Sequence, residues 1–339
     1  MLNRSVRFFE LTGLVWLIPI ANLLAGKNPK QQLTNLATSV GVPMIAFLIF
    51  LLMWSVAAQN VKTSLGNLPG PVQTWEQFQG LVVEHKAARE REASFYQRQD
   101  ERNAKRVAEG KEARAIRPYT GAPTFFDQIL TSLYTVFVGF IIASLIAIPV
   151  GIVCGLNNTI YAGLNPLIQI FRPVSPLAWL PIVTMVVSAL YVSDDPLFAK
   201  SFVISAFTVT LCSLWPTLIN TTVGVATMDK DLINVCRVLR LNWITKIFKV
   251  VIPAALPMIF TGLRLSLGVG WMVLIAAEML AQNPGLGKFV WDEFQNGSSN
   301  SLGRILVAVF VIGIIGFILD RIMLTLQKAV SHDKTQEIR

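Results

Sequence analysis

The sequence predicts an all-α integral membrane protein with a five-helix core, one or two membrane segments before the core, and an extracytoplasmic helical insert. Hydrophobic residues make up 53% of the 339 residues, and charged residues only 14%. The mean hydropathy is +0.55, which is well above that of ordinary soluble chains. Apolar runs of roughly 20 residues, the length that crosses a bilayer as a helix, recur along the chain. One charge-dense segment interrupts them.

The first part of the chain, residues 1–59, is expected to hold the N-terminal membrane segments. The apolar run at 42–59 is long enough for one spanning helix. The run at 11–25 is shorter and contains a proline and an asparagine. Three alternatives stay open for it: an interfacial or half-inserted helix, a true span, or a signal peptide preceded by Arg4 and Arg7.

Residues 60–121 form a charged insert with few large apolar side chains. Its middle reads HKAAREREASFYQRQDERNAKRVAEGKEARAIRP. Opposite charges recur three or four positions apart, as in Glu101 and Lys105, and this pattern favours a solvated surface helix. Two roles stay open for the insert: a polar excursion packed loosely on the rest of the chain, or a dedicated docking surface.

The membrane core is expected at residues 122–331, followed by a cytoplasmic tail at 332–339. The five predicted spans are 125–155, 160–192, 198–226, 253–280 and 304–328. Lys and Arg concentrate in cytoplasmic loops. The loop at 227–252 carries five of them against two Asp, so this loop and the C-terminus are placed in the cytoplasm. Counting spans backwards then places the insert outside, because long loops are exported largely regardless of charge.

Composition and motifs argue against enzymatic chemistry. The only histidines are His85 and His332, and no spacing typical of a metal site or an activated nucleophile occurs. The Gly-Lys pairs lack the flanking residues of a phosphate-binding loop, so no ATP hydrolysis is expected in this chain. The net charge of +9 comes without a basic patch interleaved with aromatic residues, so nucleic acid is not an expected partner.

A basic amphipathic segment lies between two predicted spans and reads NVCRVLRLNWITKIFKVVIPAALP, residues 234–257. Its apolar residues recur at helical spacing with basic residues between them. Asn242 and Trp243 divide it into two short helices, and Pro253 and Pro257 turn the chain before it re-enters the membrane. An interfacial helix on anionic lipid is one interpretation. A knob on the cytoplasmic face is the other.

This segment resembles the cytoplasmic loop of the permease subunits of type I, binding-protein-dependent ATP-binding-cassette importers. Their pattern is E-A-A, then G, then an aliphatic residue followed by Pro. Aligned on Ile252-Pro253, Asn234 stands at the Glu position and Arg240 at the Gly position. The resemblance implies that 229–243 is the coupling helix that fits an ATP-binding subunit, and that Arg240 reaches an acidic group there. The implied coupling residues are Asp231, Asn234, Val235, Cys236, Arg237, Leu239, Arg240 and Leu241.

Other stretches are similar to the permeases of nitrate importers, with relatives that carry bicarbonate, cyanate or sulfonates such as taurine. They are FRPVSPLAWLPI, SLWPTLINTTVGV, GLRLSLGVGWMVLIAAEML, and GKFVWDEF followed by GIIGFILDRIM. The resemblance implies a homodimer in the bacterial inner membrane, two cytoplasmic ATP-binding subunits that hold ATP and Mg²⁺, and an extracytoplasmic solute-binding protein. No cofactor is expected in this chain. Two rival functions are an ion-gradient-driven secondary transporter and a scaffold built on the insert.

Charged groups inside spans are costly and are taken first as functional candidates. Arg172 is expected near mid-bilayer at a proline-rich break in the helix, where it either holds an oxyanion or pairs with freed backbone carbonyls. Arg264 either lines the path or forms a salt bridge with Asp320 or another carboxylate. Glu278 is expected to be a gate or a structural partner rather than a ligand. Further candidates for the pathway are Ser175, Trp179, Asn220, Thr221 and Trp271, although the two tryptophans are more often packing residues.

Overall fold

The computed structural model describes residues 18–24, 26, 28–63, 66–192, 197–298 and 300–330. Most of the run at 11–25 and the tail at 332–339 lie outside these ranges. The N-terminal helices are α1 (Ile18–Leu24), α2 (Pro29–Leu36) and α3 (Val42–Asn60), with a π-helical turn at Ala37–Gly41 between α2 and α3. A two-residue antiparallel ribbon, β1 (Lys62–Thr63) with β2 (Gly66–Asn67), leads into α4 (Pro71–Ala108).

The predicted five-helix core is confirmed. Its helices are α5 (Phe125–Leu156), α6 (Asn158–Phe171), α7 (Pro176–Leu190), α8 (Lys200–Ala226), α9 (Lys230–Val238), α10 (Trp243–Lys246), α11 (Ile252–Ala281), α12 (Leu286–Asn296) and α13 (Ser301–Val330). A π-helical turn at Ile247–Val251 joins α10 to α11. Within the described part of the chain, five continuous helices are long and apolar enough to cross a membrane: Pro29–Asn60 lies before the core and the other four lie in it. The bent pair of α6 and α7 is the fifth candidate span of the core.

Helix α8 lies at the centre of the core and packs against α5 on one side and α11 on the other. Glycines make the close approach possible, as they do between membrane helices in general. A Cβ added at Gly151 of α5 would fall 2.7 Å from Thr221, and one added at Gly262 of α11 would fall 2.9 Å from the backbone of Thr217. Any larger residue at these two positions would therefore separate the helices.

The long helix α4 is anchored to the core at its first half. Leu81 is only 2% exposed within the apolar core. Arg304 at the start of α13 forms ion pairs with Glu84 of α4 and with Glu293 of α12. Arg89 of α4 pairs with Asp127 at the start of α5 at 2.5 Å. The predicted surface helix is therefore present, but its first half is clamped rather than loosely packed.

The second half of α4 projects away from these anchors, and the irregular segment that follows it runs back along the helix. The Asn103 side chain donates to the Arg114 carbonyl (2.9 Å) and accepts from the Arg114 N–H (3.1 Å). Gln99 makes the same two bonds to Arg117. These side-chain bonds hold residues 111–117 antiparallel to the helix. The projecting part is thus an ordered arm.

The anchors also fix which end of the bundle the insert occupies. α11 begins at the π-helical turn beside α10 and ends at Ala281, and α13 begins at Ser301 on the same end as Ala281. Since α4 contacts the start of α13 and the start of α5, it lies at the end opposite to the segment at 229–243. The insert and the basic segment therefore lie at opposite ends of the bundle.

Candidate functional site

The segment at 229–243 is a capped helix followed by a tight turn, and we call it the coupling segment after the role that the resemblance implies for it. Asp229 caps the N-terminus of α9 by accepting a hydrogen bond from the N–H of Asp231 at 2.9 Å. At the other end, the N–H of Leu241 donates to the Cys236 carbonyl and the N–H of Arg240 donates to the Arg237 carbonyl, both at 3.1 Å. This pair of bonds is the Schellman arrangement that ends many helices.

Arg240 stands at the position that the resemblance aligned with glycine, and its backbone has a conformation that favours glycine. Its φ is +47°, in the left-handed region that a Schellman turn requires and that glycine adopts without steric cost. The chain keeps the turn although an arginine occupies it. The guanidinium is exposed, so the turn projects a positive charge from the coupling segment.

The coupling segment presents an apolar surface rimmed by basic residues. Val235, Leu239 and Trp243 are all exposed, and Val238 is 81% exposed. Val238 was not among the predicted contact residues, although its spacing of three from Val235 on a helix was the signal that could have found it. Asp231, Asn234 and Arg237 also lie at the surface, and Leu241 is half-buried.

Cys236 corrects one expectation. The resemblance placed it among the residues that meet the ATP-binding subunit, but it is only 4% exposed. Its side chain faces the protein because α9 is amphipathic and position 236 falls on the inner face. Cys236 therefore supports the coupling segment from beneath.

The structure removes the basis for the expected mid-bilayer position of Arg172. That estimate assumed one straight helix over 160–192, whereas α6 and α7 meet at 102°. The break itself falls at 172–175, as the prolines predicted. Arg172 lines a cavity of about 600 Å³ together with Thr222 and Val223, which belong to the last two turns of α8 before the coupling segment.

The cavity beside Arg172 is rich in polar side chains. Tyr161, Asn165 and Gln169 of α6 also line it. Among the residues that the structure describes, the Arg172 guanidinium forms no hydrogen bond and no ion pair, so the expected pairing with freed backbone carbonyls is absent there. A free cation with carboxamide groups nearby is suited to an oxyanion.

Four other pathway candidates do not line this cavity. The Ser175 hydroxyl caps α7 by accepting from the Leu177 N–H at 3.3 Å. Trp179 lies in a separate apolar groove between α7 and α8. Asn220 donates to the Pro216 carbonyl at 2.8 Å, and Thr221 is fully buried against α5.

Arg264 forms the salt bridge that was one of its two alternatives. Its Nε and Nη2 atoms donate to the two carboxylate oxygens of Asp320 at 2.5 and 2.9 Å. The pair also lines a cavity of about 590 Å³ between α11 and α13, with Thr261, Gly268 and Gln327. Arg264 can therefore form the salt bridge and border a cavity at the same time.

Trp271 lies about two helical turns beyond Arg264 on α11 and joins α11 to α13. Its Nε1 donates to the Ile312 carbonyl at 3.0 Å, and the ring packs against Gly316. The side chain is largely buried and borders a smaller cavity beside the Arg264–Asp320 pair. This geometry fits the packing role that tryptophan usually has.

Glu278 is completely enclosed, with 0% exposure. Its carboxylate accepts from the Ser132 hydroxyl at 2.8 and 2.9 Å and from the Gly287 N–H at 3.0 Å. Ser132 also accepts from the N–H of Leu286 at 2.8 Å. Glu278 thus ties α5, α11 and the start of α12 together, which fits the structural alternative given for it.

Comparison with known proteins places the whole chain in a family. A model of the family described as "binding-protein-dependent transport system inner membrane component" matches residues 147–332. The nitrate import permease protein NrtB of Synechocystis sp. is 31% identical over 325 residues, which cover 92% of this chain and 98% of that protein. The bicarbonate transport system permease protein CmpB of Synechococcus elongatus is 35% identical over 288 residues, which cover 85% and 88%.

Among solved structures, a chain of the MetNI methionine ABC transporter in inward-facing conformations matches 61% of this chain and 96% of its own length, with a TM-score of 0.48 and 15% identity. The family model covers more than half of the sequence, and the identity to NrtB extends over nearly all of it. The chain therefore belongs to the family of inner membrane components of binding-protein-dependent transport systems.

Proposed function

We propose that this chain is the transmembrane permease subunit of an ATP-driven anion importer and that the anion is nitrate. The identity to a nitrate import permease over 92% of the chain supports the cargo. The family supports the transport role. Bicarbonate is the second candidate cargo, because the similarity to a bicarbonate permease is of the same order and both ions are planar, singly charged oxyanions.

The geometry of the coupling segment carries this proposal. It is a short, capped, exposed helix with an apolar surface and a basic turn, and it lies at the opposite end of the bundle from the insert. A motor subunit requires such a contact, whereas an ion-gradient-driven carrier does not. We place the coupling segment and the C-terminus in the cytoplasm and the insert outside, as the loop charges indicate.

The proposed assembly contains two copies of this chain, two ATP-binding subunits and a solute-binding protein. ATP and Mg²⁺ are held on the ATP-binding subunits, which grip the coupling segments of both copies. Their closure on ATP tilts the two halves from inward-facing to outward-facing. The solute-binding protein then delivers the anion from outside.

The proposed residue roles follow from where the side chains lie. Asp231, Asn234, Arg237 and Arg240 form the polar surface that meets the ATP-binding subunit, and Val235, Val238 and Leu239 form its apolar surface. Arg172 and Arg264 are the candidates for contact with the anion, because each lines a cavity.

Reconstitution tests the function. Proteoliposomes that contain the permease and its ATP-binding subunits, with ATP inside and the solute-binding protein outside, should accumulate nitrate. Liposomes without the ATP-binding subunits should accumulate none. Nitrate uptake by the permease alone, driven by an ion gradient, would replace this proposal with the secondary transporter, and preferential uptake of bicarbonate would exchange the cargo.

Arg240 variants test the coupling contact in the same proteoliposomes. Arg240→Glu should leave ATP hydrolysis running while uptake is lost, because it reverses the charge presented to an acidic partner. Arg240→Gly is the matched control: it removes the charge but relaxes the left-handed turn, and it should reduce uptake less. Normal coupled uptake in the Glu variant would refute the electrostatic role of Arg240.

A further inference from the structure

Arg264 and Asp320 place a cation and an anion inside the membrane-spanning bundle. Arg264 lies in the middle of the continuous helix Trp243–Ala281, and Asp320 lies within the span Ser301–Val330. Isolated charges at such positions cost several kcal/mol. Pairing removes much of that cost, so the salt bridge accounts for how the two charges are tolerated.

The pair is not sealed inside the chain. The Arg264 side chain is 27% exposed and the Asp320 side chain 39% exposed, and both border the cavity between α11 and α13. Charged groups within spans face the bundle interior or a water-filled cavity rather than lipid. This face is therefore covered by protein or water in the assembled transporter. A path for an anion runs through a region of this kind.

The geometry of the pair matches the geometry of the proposed cargo. Two adjacent guanidinium nitrogens each donate to one oxygen of a planar carboxylate. Such a fork binds any planar group that offers two oxygens in one plane. Nitrate and bicarbonate are groups of this kind, so the Asp320 carboxylate occupies the position that either anion would take.

We propose that Arg264 is an oxyanion-binding residue of the translocation path and that Asp320 is a built-in competitor that occupies it when no anion is bound. This proposal rests on the proposed anion-import function. Asp320 is the more exposed of the two, so its carboxylate can turn into a hydrated path while Arg264 stays in place. The anion then exchanges with Asp320 without leaving Arg264 uncompensated.

Competition predicts opposite effects for the two partners. Asp320→Asn removes the competing charge at nearly constant shape and should tighten nitrate binding about tenfold or more, because the competent state no longer has to displace a carboxylate. Arg264→Gln should abolish binding. Arg264→Lys keeps the charge but loses the fork, and it should weaken binding about tenfold.

Isothermal titration of nitrate into the permease–ATPase complex in lipid nanodiscs, without the solute-binding protein and in a chloride-free buffer, measures these effects. Arg321→Gln is the matched control, because it removes a neighbouring arginine of α13 whose guanidinium lies over the Phe317 ring and does not line this cavity. It should leave nitrate binding unchanged. The double variant Arg264→Gln with Asp320→Asn should assemble, since it leaves no unpaired charge, and should not bind nitrate.

Two outcomes would overturn the proposal. One is an assembled Asp320→Asn complex that binds nitrate no more tightly than the wild type. The other, which decides the matter if Asp320→Asn fails to assemble, is an Arg264→Lys complex with wild-type affinity. Nitrate uptake by the wild-type transporter in proteoliposomes distinguishes failure of this proposal from failure of the proposed import function. If uptake is normal and either outcome appears, only the competitor role of Asp320 and Arg264 fails. If no oxyanion is taken up, the import function fails as well.

Discussion

Glu278 shows what a buried carboxylate does in this fold. Its oxygens accept hydrogen bonds from the Ser132 hydroxyl and the Gly287 N–H, and the chain around Gly285 approaches so closely that a Cβ there would collide with the carboxylate. The site has room for no other ligand. Glu278 therefore has a structural role: it joins the helices at the end of the bundle where the insert lies.

Glu278→Ala should destabilise the protein by at least about 2 kcal/mol, because it leaves a buried hydroxyl and a buried N–H without their acceptor. A thermal melt of the detergent-solubilised protein measures the loss. Leu280→Ala is the control, since Leu280 is exposed two positions further along α11 and its truncation should have little effect. A Glu278→Ala protein that melts like the wild type but no longer transports would instead make Glu278 a gate.

The backbone conformation of Arg240 could not be predicted from the sequence. The spacing to Ile252-Pro253 aligned it with the Gly position of the resemblance, but its left-handed backbone, with a φ of +47°, is a conformation that no side-chain pattern reveals. Holding a non-glycine residue there costs roughly 1–2 kcal/mol. Compared with glycine, the arginine adds a positive charge at this exposed turn.

At the scale of elements, the insert helix α4 divides into an anchored half and a projecting arm. The anchors are Glu84 with Arg304 and Arg89 with Asp127. The arm begins beyond the aromatic contact of Phe95 with Tyr119. Side chains of α4 hold residues 111–117 against it. The arm therefore extends to the side where a solute-binding protein is proposed to dock.

Replacement of residues 97–117 by a short Gly-Ser linker should weaken the stimulation of ATP hydrolysis by the solute-binding protein and leave basal hydrolysis intact. The anchors remain in this variant, so the bundle should keep its structure. Arg304→Gln is the contrasting variant: it cuts the anchor at α13 but keeps the surface of the arm. Full stimulation of the shortened protein would reject a docking role for the arm.

The helices themselves were largely predictable from hydropathy, and the break between α6 and α7 was predictable from Pro173 and Pro176. The angle of the break was not, because a proline that interrupts a helix leaves the direction of the next helix to tertiary packing. The depth expected for Arg172 assumed a straight helix and lost its basis for that reason. Likewise, the pairing of Glu84 with Arg304 joins positions 220 residues apart, and no local pattern carries such a contact.

At the scale of the whole molecule, the structure arranges two surfaces at opposite ends of one bundle. The coupling segment and its apolar patch lie at one end, and the insert arm lies at the other. The sequence predicted this arrangement through span parity and loop charge. The candidate anion contacts, Arg172 near the coupling end and Arg264 within the spans, lie between these surfaces.

A photo-activated cross-linking residue at Val238 tests whether the coupling segment meets an ATP-binding subunit. Val238 is the most exposed apolar residue of α9, and Val107 on the arm is an equally simple, exposed control. In membrane vesicles that hold the complete transporter, the residue at 238 should capture the ATP-binding subunit, and the residue at 107 should not. Capture of that subunit from position 107 but not from position 238 would show that it meets the arm and not the coupling segment.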